Sequence, residues 1–97
     1  MELAKIQSFL KKNNFLENKR DGSYTKRVDS VIKRYRFKDN AIFIEVKRNG
    51  NEDFELIAYG DIRDTYLNEK GQITGIKRAI PGYSMDKIAQ IKESNES

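Results

Sequence analysis

Residues 31–48 have the sequence VIKRYRFKDNAIFIEVKR, in which two alternating segments flank the pair Asp39-Asn40. Pairs of this kind form two-residue hairpin turns. A turn here would oppose Phe37 with Ile42, Tyr35 with Ile44 and Lys33 with Val46 on one face, and Arg36 with Phe43, Arg34 with Glu45 and Ile32 with Lys47 on the other. Because the first face is mostly apolar and the second carries an opposite-charge pair, the stretch predicts an antiparallel hairpin with one face on a core.

The segments on either side extend this hairpin. The alternation continues backwards to Tyr24, so one long first strand is predicted from about residue 24 to residue 37. A third strand is predicted at about residues 54–59, after a three-residue loop at residues 49–51. A shorter turn would oppose Val46 and Asp53. The longer loop instead opposes Val46 with Phe54, Ile44 with Leu56 and Ile42 with Ala58.

Three further elements follow from periodicity and turn residues: a helix over residues 2–13, a weaker hairpin formed by residues 64–68 and 72–78, and a helix over residues 85–93. Leu3, Ile6 and Leu10 give the first helix an apolar stripe, and Asn13-Asn14 would end it. Ser84 is a suitable N-cap for the last helix.

These elements predict a single α+β domain over residues 1–92. The expected architecture is an N-terminal helix, an antiparallel meander sheet of three to five strands, and a short C-terminal helix packed on one face. Residues 93–97 are polar and are expected to form a disordered tail.

The composition excludes several classes of site. The 97 residues include no cysteine and no histidine, so a disulfide, a zinc–thiolate site and a Ser-His-Asp triad are impossible. No apolar run approaches the roughly 18 residues that a membrane-spanning helix needs. We therefore expect a cytoplasmic protein that is not an enzyme, with no cofactor, no metal and no membrane partner.

The strand at residues 42–47 ends in Glu45-Val46-Lys47, with Asp29 and Asp39 upstream. This arrangement resembles the core of the PD-(D/E)xK nucleases, in which two carboxylates hold Mg²⁺ and the lysine steadies the attacking water. The family pattern has a helix after this strand, whereas a hairpin is predicted here, and Glu45 is expected to pair with Arg34. Alternating charge on a solvated strand is the preferred interpretation, and a metal-dependent nuclease is kept as the minor alternative.

Positive charge is concentrated in the middle of the chain. Residues 19–48 contain ten basic and four acidic residues, a balance of +6 against +4 for the whole chain, and such polarisation suits a polyanion or an acidic protein surface. The predicted register brings cations and rings together on the face of the sheet away from the core. The candidate binding residues are Arg34, Arg36, Lys38, Phe43, Lys47, Arg48, Ile57 and Tyr59. A single-stranded nucleic acid needs such a mixture, because its phosphates meet the cations and its bases stack on the rings.

The predicted function is therefore a small, non-enzymatic binding module that contacts nucleic acid through this basic and aromatic face. The alternative is a small protein-binding inhibitor or adaptor of phage or mobile-element type, acting on a host protein that handles nucleic acid. The Lys-, Asn- and Ile-rich composition favours such a source, because the codons of these residues are AT-rich. A third interpretation is that the terminal segment covers the rings of this face and leaves the charges at its rim.

Overall fold

The computed structural model describes residues 2–78. It contains an N-terminal helix, α1 (Leu3–Lys12), and a 3₁₀ turn at Ile62–Asp64. The strands are β1 (Leu16–Asn18), β2 (Ser23–Val28), β3 (Val31–Lys38), β4 (Ala41–Arg48), β5 (Glu55–Asp61), β6 (Tyr66–Leu67), β7 (Ile73–Thr74) and β8 (Lys77–Arg78). Six of them form one antiparallel sheet in the order β1-β2-β3-β4-β5-β8, and β6 pairs with β7 in a separate hairpin.

This architecture agrees with the α+β class and with the predicted N-terminal helix, but the sheet has six strands where three to five are expected. The weaker hairpin is present over the short pairing of β6 and β7. The helix predicted over residues 85–93 and the tail at residues 93–97 lie outside the described residues. Within residues 2–78, no helix is long and apolar enough to cross a membrane.

The single strand predicted over residues 24–37 is wrong, because the chain turns at Asp29-Ser30. Val28 ends β2, Val31 begins β3, and these two residues are Cα partners. Asp29 has a φ of 56°, a left-handed conformation that Asp adopts more readily than most residues. Because the turn contains two residues, each residue of β2 is an odd number of positions from its partner on β3. These partners share a face of the sheet, whereas in one continuous strand they would lie on opposite faces.

The hairpin of β3 and β4 has the predicted register at every pair. Its turn consists of Asp39 and Asn40, and Asp39 takes the left-handed conformation with a φ of 55°. The turn chemistry and the alternation of both strands agree here, which explains why the register could be predicted.

The register between β4 and β5 differs from the prediction, because β5 contains a bulge. Ile44 pairs with Ala58 and Glu45 with Leu56, which leaves Ile57 without a partner strand residue. In the structure Val46 pairs with Glu55, Ile44 with Ala58 and Ile42 with Gly60. The three pairs predicted for these residues are therefore wrong. Since a bulge changes the face on which neighbouring side chains lie, Leu56 faces away from α1 while Ile57 packs on the side of α1.

Helix α1 covers one side of the sheet, here called the helix side; the opposite side is called the outer face. Ile6 and Leu10 of α1 are buried in one apolar cluster with Tyr24, Tyr35, Ile42, Ile44 and Ile62. The helix ends at the predicted place, since Asn14 is left-handed with a φ of 67°. The side-chain Nδ2 of Asn13 donates a hydrogen bond to the carbonyl oxygen of Phe9 at 2.8 Å.

The β6–β7 hairpin lies over the end of α1. A Cβ placed on Gly71, at the hairpin tip, would lie 3.6 Å from Cε2 of Phe9, so the tip is in contact with that ring. Beyond the hairpin, Gly75 has a φ of 86°, and a Cβ there would collide with the carbonyl oxygen of Asp64. The backbone at Gly75 thus passes close to the backbone of Asp64. From there the chain continues from β7 into β8, where Lys77 pairs with Tyr59.

Candidate nucleic-acid interface

Six of the eight predicted site residues share the outer face: Arg34, Arg36, Lys38, Phe43, Lys47 and Tyr59. The other two do not. Arg48 lies opposite Val31 on the helix side, where its Nε is 3.5 Å from Oε2 of Glu55. Ile57, displaced by the bulge, packs against the helix-side core. The expectation that Ile57 lies on the outer face is therefore wrong.

The two arginines of the outer face already have carboxylate partners. Glu45 is buried between them, with Oε1 at 2.9 Å from Nε of Arg34 and Oε2 at 3.6 Å from Nη1 of Arg36. The guanidinium of Arg34 also lies 3.7 Å from the centre of the Phe54 ring, a cation–π contact. Both arginines are therefore committed to contacts within the protein, which leaves them less able to bind phosphate.

A second carboxylate, Asp21, adds to this compensation. Hydrogen bonds from Ser23 hold the pKa of Asp21 below its ordinary value, and the positive charges of Arg34 and Arg36 lower it further. The arginines thus face two carboxylates, Glu45 and Asp21. Lys38 is exposed and Lys47 is partly buried, and neither forms a salt bridge within residues 2–78.

One of the two predicted rings of the outer face, Phe43, is also unsuited to stacking, whereas Tyr59 is only partly buried. Phe43 is only 4% exposed and packs with Leu56, Ala41 and Tyr59 in a second apolar cluster. A base can stack on a ring only where the ring face is accessible. The segment that could cover this face, after residue 78, lies outside the described residues. The predicted stacking surface is therefore not open at Phe43.

A different concave surface lies on the helix side of the sheet. It is a groove of about 590 Å³ between the end of α1, the β2–β3 hairpin and the β6–β7 hairpin, and it is called the sheet groove below. Its floor includes Ile44, Ile57 and Ala58. Its walls carry three rings and three lysines: Phe9, Phe15, Tyr35, Lys26, Lys33 and Lys70.

Two of the three lysines of the sheet groove lie close to its rings. The Nζ of Lys26 is 5.7 Å from the centre of the Phe15 ring, and the Nζ of Lys33 is 5.4 Å from the centre of the Tyr35 ring. The two rings meet edge to face, with centroids 5.3 Å apart. Cations and aromatic groups are therefore arranged together on this side of the sheet.

Within residues 2–78, the charge of the sheet groove is not balanced by an acid among its lining residues. None of the described residues that line it is acidic. In the part of the chain that the structure describes, the salt bridges involve Lys11, Arg34, Arg36, Arg48 and Arg63, and no lysine of the groove. The groove therefore presents unpaired positive charge beside an apolar floor.

Sequence reasoning missed this site because it treated residues 24–37 as one strand. In a continuous strand, Lys26 and Lys33 differ by an odd number of positions and would lie on opposite faces. The Asp29-Ser30 turn makes them Cα partners on the same face. A signal was present in the sequence, since the apolar positions change phase between Val28 and Val31.

Comparison with protein-family models, curated proteins and solved structures gives no match to this chain. Among residues 2–78, no three acidic side chains come together in a way that could hold a metal ion. In the segment that resembles the nuclease core, Glu45 is bound by two arginines, and a hairpin follows β4 where the family has a helix. Function is therefore inferred from the geometry and charge of the described residues.

Proposed function

We propose that the protein is a small binding module for single-stranded nucleic acid and that the sheet groove is its contact surface. The observation that supports this most directly is a set of three lysines around rings and an apolar floor. Lys26, Lys33 and Lys70 have no acidic partner among residues 2–78. The proposed role involves no catalysis.

The groove offers each part of a nucleotide a suitable neighbour. Phosphates would meet the lysines, and a base would stack on Phe9 or Phe15, which are only partly buried. Stacking on an aromatic side chain contributes about 1–3 kcal/mol per base. A single strand exposes the faces of its bases, whereas a duplex hides them, so single strands are favoured.

Fluorescence anisotropy with labelled single-stranded DNA, single-stranded RNA and duplex DNA tests the proposal. We expect single strands to bind more tightly than duplex. For single strands, affinity falls with salt at a logarithmic slope of about −0.7 for each phosphate contact. Three lysine contacts would therefore give a slope of about −2.

Two charge-matched variants locate the site. Lys26→Ala/Lys33→Ala removes two lysines of the groove, and Lys38→Ala/Lys47→Ala removes two lysines of the outer face. We expect the first variant to weaken binding about tenfold, a loss of about 1.4 kcal/mol, and the second to have a much smaller effect. Equal losses would contradict a defined site in the groove, and no binding of any nucleic acid at low salt would contradict the function.

The same groove supports a second candidate, the protein-binding inhibitor or adaptor. Its floor of Ile44, Ile57 and Ala58 would suit an apolar side chain of an acidic protein segment, with the lysines at the rim holding the carboxylates. Competition separates the two functions. An acidic peptide with one aromatic residue should displace bound oligonucleotide only weakly if nucleic acid is the partner, and should bind more tightly than any oligonucleotide if a protein is.

A further inference from the structure

A second recess lies on the other flank of the β6–β7 hairpin. It has a volume of about 390 Å³ and is lined by Ala4, Lys5, Ser8, Phe9, Lys12 and Leu67. All of these residues except Leu67 belong to α1, so the recess runs along one side of the helix; it is called the helix recess below. Like the sheet groove, it has no acid among its described lining residues.

The β6–β7 hairpin and Phe9 connect the two cavities. Phe9 lines both of them, and the hairpin tip rests on its ring at Gly71. The cross-strand partners Leu67 and Ile73 contribute one residue to each cavity, Leu67 to the helix recess and Ile73 to the sheet groove. The cavities thus lie against the two strands of one hairpin and share Phe9.

Lysines line both cavities: Lys5 and Lys12 line the helix recess, and Lys26, Lys33 and Lys70, the last at the hairpin tip, line the sheet groove. Lys5 and Lys12 are seven helical positions apart, or about 10 Å along the axis, so they would meet different phosphates. In the described part of the chain, the ion pair of α1 is made by Lys11, whose Nζ lies 3.8 Å from Oε1 of Glu17. Glu69, at the hairpin tip, lines neither cavity.

We propose that the sheet groove and the helix recess form one track, which holds an extended single strand of nucleic acid longer than the groove alone can bind. This inference rests on the nucleic-acid binding proposed above. Cations spaced along a curved route suit a flexible polyanion, because each phosphate can meet one lysine. A duplex, with a persistence length of about 150 base pairs, cannot bend around a hairpin tip.

The test uses oligothymidylates of three, six, nine and twelve nucleotides, measured by anisotropy at low salt with the full-length protein. We expect affinity to rise from the trinucleotide to the nonanucleotide and then to level off. Lys5→Ala/Lys12→Ala should reduce affinity for the nonanucleotide about tenfold and flatten its salt slope by about 1.4. The same variant should bind the trinucleotide as the wild type does, because the trinucleotide occupies only the sheet groove.

The matched control is Lys11→Ala/Lys19→Ala, which removes the same charge from residues that line neither cavity. Circular dichroism checks that both variants are folded. If oligonucleotides bind but affinity does not increase beyond the trinucleotide, or if both variants lose the same affinity, the track is wrong and the sheet groove stands as the site. If the wild type binds no oligonucleotide, both proposals are wrong.

Discussion

Lys26 and Lys33 are Cα partners across the β2–β3 hairpin, and their ammonium groups lie over two different rings, Phe15 and Tyr35. Like charges placed directly opposite each other destabilise a sheet. Neither lysine has an ion pair among the described residues. The fold thus keeps a pair that reduces its stability, and such features are expected where a protein binds a ligand.

Replacing one of these lysines by an acid should stabilise the protein and weaken nucleic-acid binding. For Lys33→Glu we expect the free energy of unfolding to rise by about 0.2–1 kcal/mol at low salt, because attraction replaces repulsion across the hairpin. The gain should shrink at high salt. Urea denaturation measures it. Lys47→Glu is the control, since its partner on β3 is Ile32; a Lys33→Glu protein less stable than Lys47→Glu would contradict the prediction.

Glu45 of β4 should matter far more to stability than Glu55 of β5, which pairs with Val46. Glu45→Gln leaves Arg34 and Arg36 without their buried partner. Water can still reach both arginines, whose side chains are 20% and 39% exposed. We therefore expect the free energy of unfolding to fall by only about 1–3 kcal/mol. Glu55→Gln breaks only an exposed pair with Arg48 and should cost less than about 1 kcal/mol. Equal losses in urea denaturation would contradict the buried role of Glu45.

Gly75 should tolerate no side chain. Gly75→Ala combines a left-handed backbone with a collision against the carbonyl oxygen of Asp64, so the β6–β7 hairpin must move away from the 3₁₀ turn. Gly22→Ala is the control, because Gly22 has a φ of 74° and open space around it. We expect Gly22→Ala to lower the free energy of unfolding by about 1–2 kcal/mol. Gly75→Ala should lower it clearly more, as measured by thermal or urea unfolding. If the two variants lose similar stability, the backbone of Asp64 leaves room for a side chain at Gly75 and the prediction is wrong.

Tyr24 should make the protein sensitive to alkali. Burial raises the pKa of Tyr24 above its ordinary 10.0, and the hydrogen bond to Glu17 and the charge of that carboxylate raise it further. A group whose pKa is raised by folding stabilises the protein fully below its unfolded pKa, and that contribution is lost as pH rises through the folded pKa. We therefore expect the free energy of unfolding to fall above pH 10.

Urea denaturation between about pH 8 and about pH 11 measures this dependence. Tyr24→Phe should make the fall shallower, although the variant also loses the 3.0 Å hydrogen bond from the hydroxyl to Oε1 of Glu17. Tyr66→Phe, at a side chain that is 60% exposed, should leave the pH dependence as in the wild type. If the two variants follow the same curve, Tyr24 is not the group responsible.

The β3–β4 hairpin and α1 could be predicted because local signals agree there. Asp39-Asn40 sets the turn, both strands alternate, and Asn13-Asn14 ends the helix at the predicted position. Strand β1 carried no such signal. Its three residues are all exposed, and it is held by pairing with β2 and by the contact of Glu17 with Tyr24.

The candidate site depended on two features that alternation alone does not specify. One is the Asp29-Ser30 turn, which lacks glycine and brings Lys26 and Lys33 onto one face. The other is the bulge at Ile57, which tertiary packing decides, since Ile57 fills the helix-side core. A change of a single position at either point moves side chains to the opposite face. The placement of the basic residues of β3 and β4 on the outer face was therefore predictable, and the pairing of Lys26 with Lys33 was not.

The order β1-β2-β3-β4-β5 follows the order of the chain, so each of these strands pairs with its neighbour in sequence. Closing such short loops costs little entropy, and proteins rich in local contacts fold faster than those that depend on distant ones. Among the described strands, only β8 returns to an earlier strand, after the β6–β7 hairpin. On the ribosome, each strand from β1 to β4 would gain a partner as soon as the next one emerged. We expect a nascent chain with this layout to hide its strand edges during synthesis and to depend little on chaperones.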